Sequence, residues 1–183
     1  MDEIFKQNEI GLKRDNKVRL VNHNKNWSKV FDVESKRILE VLDIPSLQLF
    51  HCGSTAISGI VAKPIIDIVG KANSLSQLDE QKNKVIDLGY EYKGEYGIKG
   101  RRFCILYNEE KTVSYCHLHI YEEGSTNFEN DILFRDYLNK NFSAAKRYEE
   151  FKKSLSLPRD EYTNAKSDII NELIREARFL KQK

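Results

Sequence analysis

Apolar residues recur along this chain with two different periods. Trp27, Val30, Phe31, Ile38, Val41 and Leu42 fall at helical spacing, which predicts an amphipathic helix over 26–42. Apolar runs of strand length follow at 47–52 and 64–69, separated by a loop over 53–63 that carries Gly, Ser and Thr. The second run is apolar apart from Asp67. A helix over 75–88 is predicted from Ser74 as its N-cap to a stop at Gly89. Residues 90–92, 102–107 and 113–121 read as strands of an antiparallel meander, with Asn108-Glu109-Glu110-Lys111 as the turn between the last two. A weaker alternation predicts a strand at 17–21. The polar stretch 1–16 reads as a short helix or a loose arm. From 131 the pattern becomes helical over 131–139, 144–154 and 160–181, and Pro158 marks the last break. No internal repeat, low-complexity tract or Pro/Gly linker interrupts the chain. The expectation is an α+β fold forming one domain over 1–183. It comprises an arm over 1–16, a mixed and antiparallel sheet core over 17–125, and a helical C-terminal part over 128–183 packed on that core.

Composition narrows the function classes. The chain has 183 residues, 40% hydrophobic and 32% charged, which suits a folded domain with a sizeable core. Its formal net charge is only +2, so a grip on long nucleic acid over the whole surface is not expected. A small anionic ligand at a local cluster fits that balance. Residues 134–183 carry 12 Lys and Arg against 8 Asp and Glu, so the excess positive charge lies in the helical part. No apolar run reaches the roughly 18–20 residues of a membrane helix. The first residues lack a signal-peptide layout. Cys52, Cys104 and Cys116 lie in strand-like runs without a CxxC pair. Buried free thiols, a cytoplasmic location and no membrane contact are therefore expected.

Three sets of residues could carry chemistry. In the first, a strand runs into Gly53-Ser54-Thr55, then a loop, then a strand bearing Asp67. Gly53 lets backbone approach a ligand, and Ser54 and Thr55 offer donors to phosphate oxygens. A buried carboxylate at Asp67 calls for a metal ion or a cation. The alternative is a turn whose groups hydrogen-bond that carboxylate. The loop is not a Walker A motif, because Gly59 is followed by Ile60 and Val61. In the second set, His117 and His119 stand two apart on a strand and share a face, roughly 6.5 Å apart at Cα. Together with His51 and Asp67 they form a candidate metal set, against the alternative of hydrogen-bonded core histidines. Cys116 points to the opposite face. In the third set, Lys63, Arg102, Arg135, Lys152 and Lys166 are candidate phosphate-binding cations. Tyr148-x3-Lys152 and Tyr162-x3-Lys166 each place an aromatic and a cation on one helical face. Solvated surface is the ordinary alternative for any one of them.

These residues resemble the GrpB family. The resemblance rests on His51 through Ile68, with Gly-Ser-Thr-Ala-x-x-Gly and Ala-Lys-Pro-Ile-Ile-Asp. It continues through Gly100-Arg101-Arg102-Phe103, His117-Leu118-His119, Leu133-Phe134-Arg135-Asp136-Tyr137-Leu138 and the two Tyr-x3-Lys pairs. It covers roughly residues 18–180. Ser58 stands where that family usually has Pro, and Val21-Asn22-His23-Asn24 replaces an aromatic-rich lead-in. The resemblance implies a fold similar to polymerase-β-like nucleotidyltransferases, whose signature is Gly-Ser, then about nine to thirteen residues, then Asp-x-Asp/Glu. Gly53-Ser54 and Asp67 match that spacing, but Val69 stands where the second carboxylate would be. Two-metal phosphoryl transfer needs ions about 3.5–4 Å apart bridged by carboxylates, which one Asp cannot supply.

The first functional expectation is therefore a metal-dependent nucleotidyltransferase acting on a small-molecule acceptor. Asp67 would be catalytic. Asp67, His117, His119 and His51 would hold a divalent ion (Mg²⁺, Mn²⁺ or another). Gly53, Ser54, Thr55, Lys63, Arg102, Arg135, Lys152 and Lys166 would bind the nucleotide or another small phosphorylated ligand. The second is a non-catalytic module derived from such an enzyme that binds a nucleotide or a CoA-like ligand. A cupin-type site built on His117-x-His119-x3-Glu123 is disfavoured by the helical last third and the absence of an upstream Gly motif.

Overall fold

A computed structural model describes residues 2–181, apart from the side chains at 159 and 160. The outer bounds expected at 1 and 183 lie outside the described residues. The six strands are β1 (Leu12–Lys13), β2 (Gln48–Cys52), β3 (Ile66–Ala72), β4 (Tyr90–Tyr92), β5 (Arg101–Tyr107) and β6 (Val113–Glu122). They form one mixed sheet in the order β2-β3-β6-β5-β4, with β1 also pairing β6. All pairs are antiparallel except β3 with β6, which run parallel. The meander β4-β5-β6 follows the alternating pattern of its sequence. The expected α+β class with a mixed sheet is what the chain adopts.

The register assigns two faces. Asp67 pairs with His117 and Val69 with His119 across β3 and β6, and Phe103 pairs with His119 across β5 and β6. These residues share one face. Ile66, Ile68, Cys104, Leu106, Cys116, Leu118 and Ile120 occupy the other, and all seven are buried. That apolar face packs against α2 (Trp27–Val41), α3 (Leu75–Glu80) and α4 (Lys82–Asp87). Helix α1 (Asp2–Gln7) buries Phe5, which stacks on Tyr115 at 4.7 Å. The second face receives α5 (Thr126–Lys140), whose Phe128 and Ile132 pack near Cys52, Val69 and Tyr121. A separate core joins α5, α6 (Phe142–Ser154) and α8 (Ser167–Lys181), with α7 (Arg159–Ala165) preceding α8.

Three local expectations change. Residues 17–21 form no strand beyond one bridge of Val21 to Ala62, and the strand on this side is β1. The helix expected over 75–88 breaks at Gln81, whose amide accepts from Asp43 N at 2.9 Å and donates to Asp43 O at 2.7 Å. The helix expected over 160–181 breaks at Lys166. Cys52, Cys104 and Cys116 are buried free thiols. Among the described residues no helix is long and apolar enough to cross a membrane.

Candidate functional site

The 53–63 loop is held by the helical part of the chain. Ile57 and Ile60 bury their side chains in the core of α5, α6 and α8. Asn139 of α5 donates to Ala56 O and accepts from Ser58 N, at 2.9 and 3.1 Å. Glu149 of α6 accepts from Val61 N at 2.8 Å, and Lys152 donates to Val61 O and to Ser54 Oγ, the latter at 3.2 Å. Four loop backbone groups thus depend on two helices far away in sequence, and the Gly-Ser turn is fixed against β3.

Gly53 is required at that turn. Its φ of 66° and ψ of −171° lie in a region open almost only to glycine. A Cβ there would also meet Asp67 Oδ2 at 2.1 Å. The turn therefore presses its bare backbone against the carboxylate.

Asp67, His117 and His119 bring one donor atom each within 4.8 Å of one another, and they are the only such metal-capable cluster among the described residues. Asp67 Oδ1 lies 3.3 Å from His117 Nδ1. That separation suits two ligands each about 2.0–2.2 Å from one ion, so the donor set fits a divalent metal. Burial alone would raise the Asp67 carboxyl, but the His117 hydrogen bond and charge, with His119 and Lys63, hold it below the ordinary carboxylate range. Burial pushes the His119 imidazole down to about 3, so the ring is neutral near pH 7, as a ligand must be. Behind it Arg101, 6% exposed, places Nη1 3.3 Å from His119 Nδ1 and also donates to the carbonyls of Glu95 and Tyr96.

A cavity of about 210 Å³ opens at this cluster and is lined by Ser54, Lys63, Asp67, His117, His119, Lys152, Tyr162, Thr163 and Lys166 among others. Lys152 is 1% exposed. Burial, followed by the nearby Lys166, lowers its ammonium to about 7. Burial lowers Lys166 as well, against the pull of Asp67. The pocket therefore gathers three lysines around one carboxylate.

Several expected site residues lie elsewhere. Arg102 points to the opposite face, where Nε and Nη2 each bind Asp79 at 2.6 Å, because only alternate β5 residues face the cavity. His51 pairs in register with Ile68 on that opposite face and stacks on Phe31 at 5.1 Å. Its Nε2 lies 3.0 Å from Thr55 Oγ1, and burial lowers it to about 4. Thr55 is buried and spends its hydroxyl on Ile65 O, so it braces the turn. Arg135 donates to His51 O at 3.1 Å and to Asp136, tying α5 to β2. Glu123 pairs with Lys71 beyond the end of β6. Two residues were not singled out from sequence. Arg101 could not be told from Arg102 without the register. Asp131 on α5 has a carboxyl that burial and Asp67 raise to about 7.

A family model described as GrpB protein matches residues 17–176. The glutamate-rich protein GrpB of Alkalihalophilus pseudofirmus is 37% identical over 168 residues, covering 87% of this chain and 95% of its own length. The UPF0157 protein YqkA of Bacillus subtilis is 38% identical over 143 residues, 76% of this chain, but the chain spans only 40% of YqkA. The crystal structure of conserved protein GrpB from Enterococcus faecalis superposes with a TM-score of 0.81 at 27% identity, covering 90% of this chain and all of that one. The poly(U) polymerase Cid1 with its short product ApU superposes with a TM-score of 0.50 at 13% identity, over 82% of this chain and 43% of Cid1. That likeness is one of fold, and the sheet with its flanking helices is of the nucleotidyltransferase type.

Proposed function

The chain belongs to the GrpB family, and from that membership and its lysine-walled pocket we propose a metal-dependent transfer of a nucleotidyl or related phosphoryl group to a small molecule. The observation that carries this reading is Lys152. A buried ammonium whose bonds go to two neutral oxygens, beside Lys63 and Lys166, calls for a multiply charged anion. The Gly-Ser turn, the Asp67 spacing and the nucleotidyltransferase-type fold make a nucleoside triphosphate the matching ligand class.

In this reading Asp67, His117 and His119 hold one divalent ion, and imidazole donors suit Mn²⁺, Fe²⁺ or Zn²⁺ better than Mg²⁺. Such an ion supplies Lewis acidity and charge neutralisation at a phosphoryl oxygen. Ser54, Lys63, Lys152 and Lys166 orient the phosphates and neutralise charge on the leaving group. Arg101 holds His119 in place from behind. A second reading, ligand binding without turnover, is favoured by Val69, which stands 3% exposed in an apolar cluster where a second metal-bridging acid would sit.

Calorimetry with Mn²⁺ and nucleoside triphosphates, followed by mass spectrometry of acceptor mixtures, tests both. Asp67→Ala should weaken Mn²⁺ binding by more than about 100-fold. It should shift the melting temperature by no more than about 2–4 °C. Undiminished Mn²⁺ binding in that variant sinks the metal assignment. Tight nucleotide binding with no transferred product selects the binding module.

A further inference from the structure

Among the described residues, one buried side-chain polar atom lacks a hydrogen-bond partner: the hydroxyl of Tyr162. Tyr162 is 1% exposed and lines the pocket. Its ring explains itself. Lys63 Nζ and Lys166 Nζ lie 5.2 and 4.9 Å from the ring centroid, and an aromatic face stabilises two ammonium groups held so close. The oxygen does not. Phenylalanine would offer the same face, whereas a buried hydroxyl without a partner destabilises the fold.

Tyr162 sits on α7. The helix begins after Pro158 and ends at Lys166, so a backbone break bounds it on each side. It adjoins α8 across Lys166 and reaches the pocket through Tyr162, Thr163 and, at its end, Lys166. Beneath it the cavity measures about 210 Å³. Sites that enclose a whole small molecule run to about 300–1,000 Å³. With α7 where it stands, there is room for the phosphate end of a ligand and not for all of it.

We propose that α7 is a lid over the pocket and that the Tyr162 hydroxyl is a ligand donor. The terminal phosphates of a polyphosphate tilt α7 about its two ends, and the phenol O–H then donates to a non-bridging oxygen between Lys63 and Lys166. This inference rests on the phosphate reading of the pocket given above.

Tyr162→Phe separates a ligand role from a structural one, because the two move opposite readouts. The ligand-free variant should melt no lower than the wild type, since it loses only an unpaired hydroxyl. Its affinity for inorganic triphosphate with Mn²⁺, by calorimetry, should fall about tenfold or more, as for a lost hydrogen bond to a charged group. Triphosphate should slow amide exchange over 159–166 in the wild type and do so less in the variant. Equal affinities overturn the donor role. A variant that melts lower and binds as well assigns the hydroxyl to the fold. Exchange over 159–166 that ignores the ligand overturns the lid. A wild type that binds no triphosphate removes the phosphate reading itself, a failure distinct from the other three.

Discussion

At Lys152, the cost of burial and the proposed binding of an anion pull in opposite directions at the scale of one residue. Lys63, Lys166 and Lys153 repel its charge and Glu149 attracts it, but burial dominates and lowers its pKa from about 10.5 to about 7. The unfolded chain therefore holds a proton that the ligand-free folded chain has lost between those values. Stability should rise with pH from about 7 to 10.5 as this penalty is relieved. Anion binding should run the other way and weaken as pH rises through about 7, where the ammonium disappears. Denaturation midpoints and triphosphate titrations across pH 6–9 check both, with Lys152→Met as the control that flattens each curve. Identical slopes in the two proteins would show that another group is responsible. Residues of this kind were partly legible in the sequence. Gly53, Ser54 and Asp67 announced themselves by spacing, and Lys152 and Lys166 by their i,i+4 tyrosines. Arg102 and His51 fall outside the cavity because parity along a strand shows which residues share a face but not which face carries the cavity.

At the scale of elements, the loop and the C-terminal helices form one mechanical unit. Glu149 is 4% exposed, accepts from Val61 N and pairs with Lys146 at 2.7 Å and Lys153 at 3.3 Å. Glu149→Ala would leave a loop N–H unpaired and two lysines facing each other. The expected loss is about 1–3 kcal/mol by urea denaturation, with weaker triphosphate binding because Lys152 donates to the same Val61. Unchanged stability would mean that Ile57, Ile60 and the bonds from Asn139 and Lys152 hold the loop without Glu149. The sequence showed the existence of these helices through their apolar period. It did not show where two of them break. Neither Gln81 nor Lys166 is a helix breaker, and each break follows from where the side chain goes. Gln81 reaches the backbone of Asp43, and Lys166 reaches the pocket. Such long-range bonds leave no trace in local periodicity.

At the scale of the whole molecule, the class of fold was readable and the strand order was not. Apolar strands alternating with helices, then helices alone, indicated a mixed sheet with a helical part. The neighbours of a given strand depend on pairings between segments far apart. Strand β3 lies between β2, its predecessor, and β6, three strands later. The near-neutral total charge likewise concealed the separation between a slightly acidic sheet region and a basic helical part, which turns Lys152 and Lys166 toward the carboxylate beside Lys63 of the loop.

The parallel pairing of β3 with β6 also has a bearing on time. It sets Asp67 opposite His117, fifty positions later, and no hairpin can bring them together. Closing so long a stretch of chain is slow relative to forming local helices and turns. During refolding, far-UV circular dichroism should recover first. Fluorescence of the single tryptophan, Trp27, which is wholly buried on the other face of the sheet, should follow. Mn²⁺ uptake should appear only in the final phase. Uptake in the earliest phase would mean that the ligand set assembles locally. On the proposed assignment, a cage that closes last would leave incompletely folded chains unable to sequester the ion until the sheet is whole.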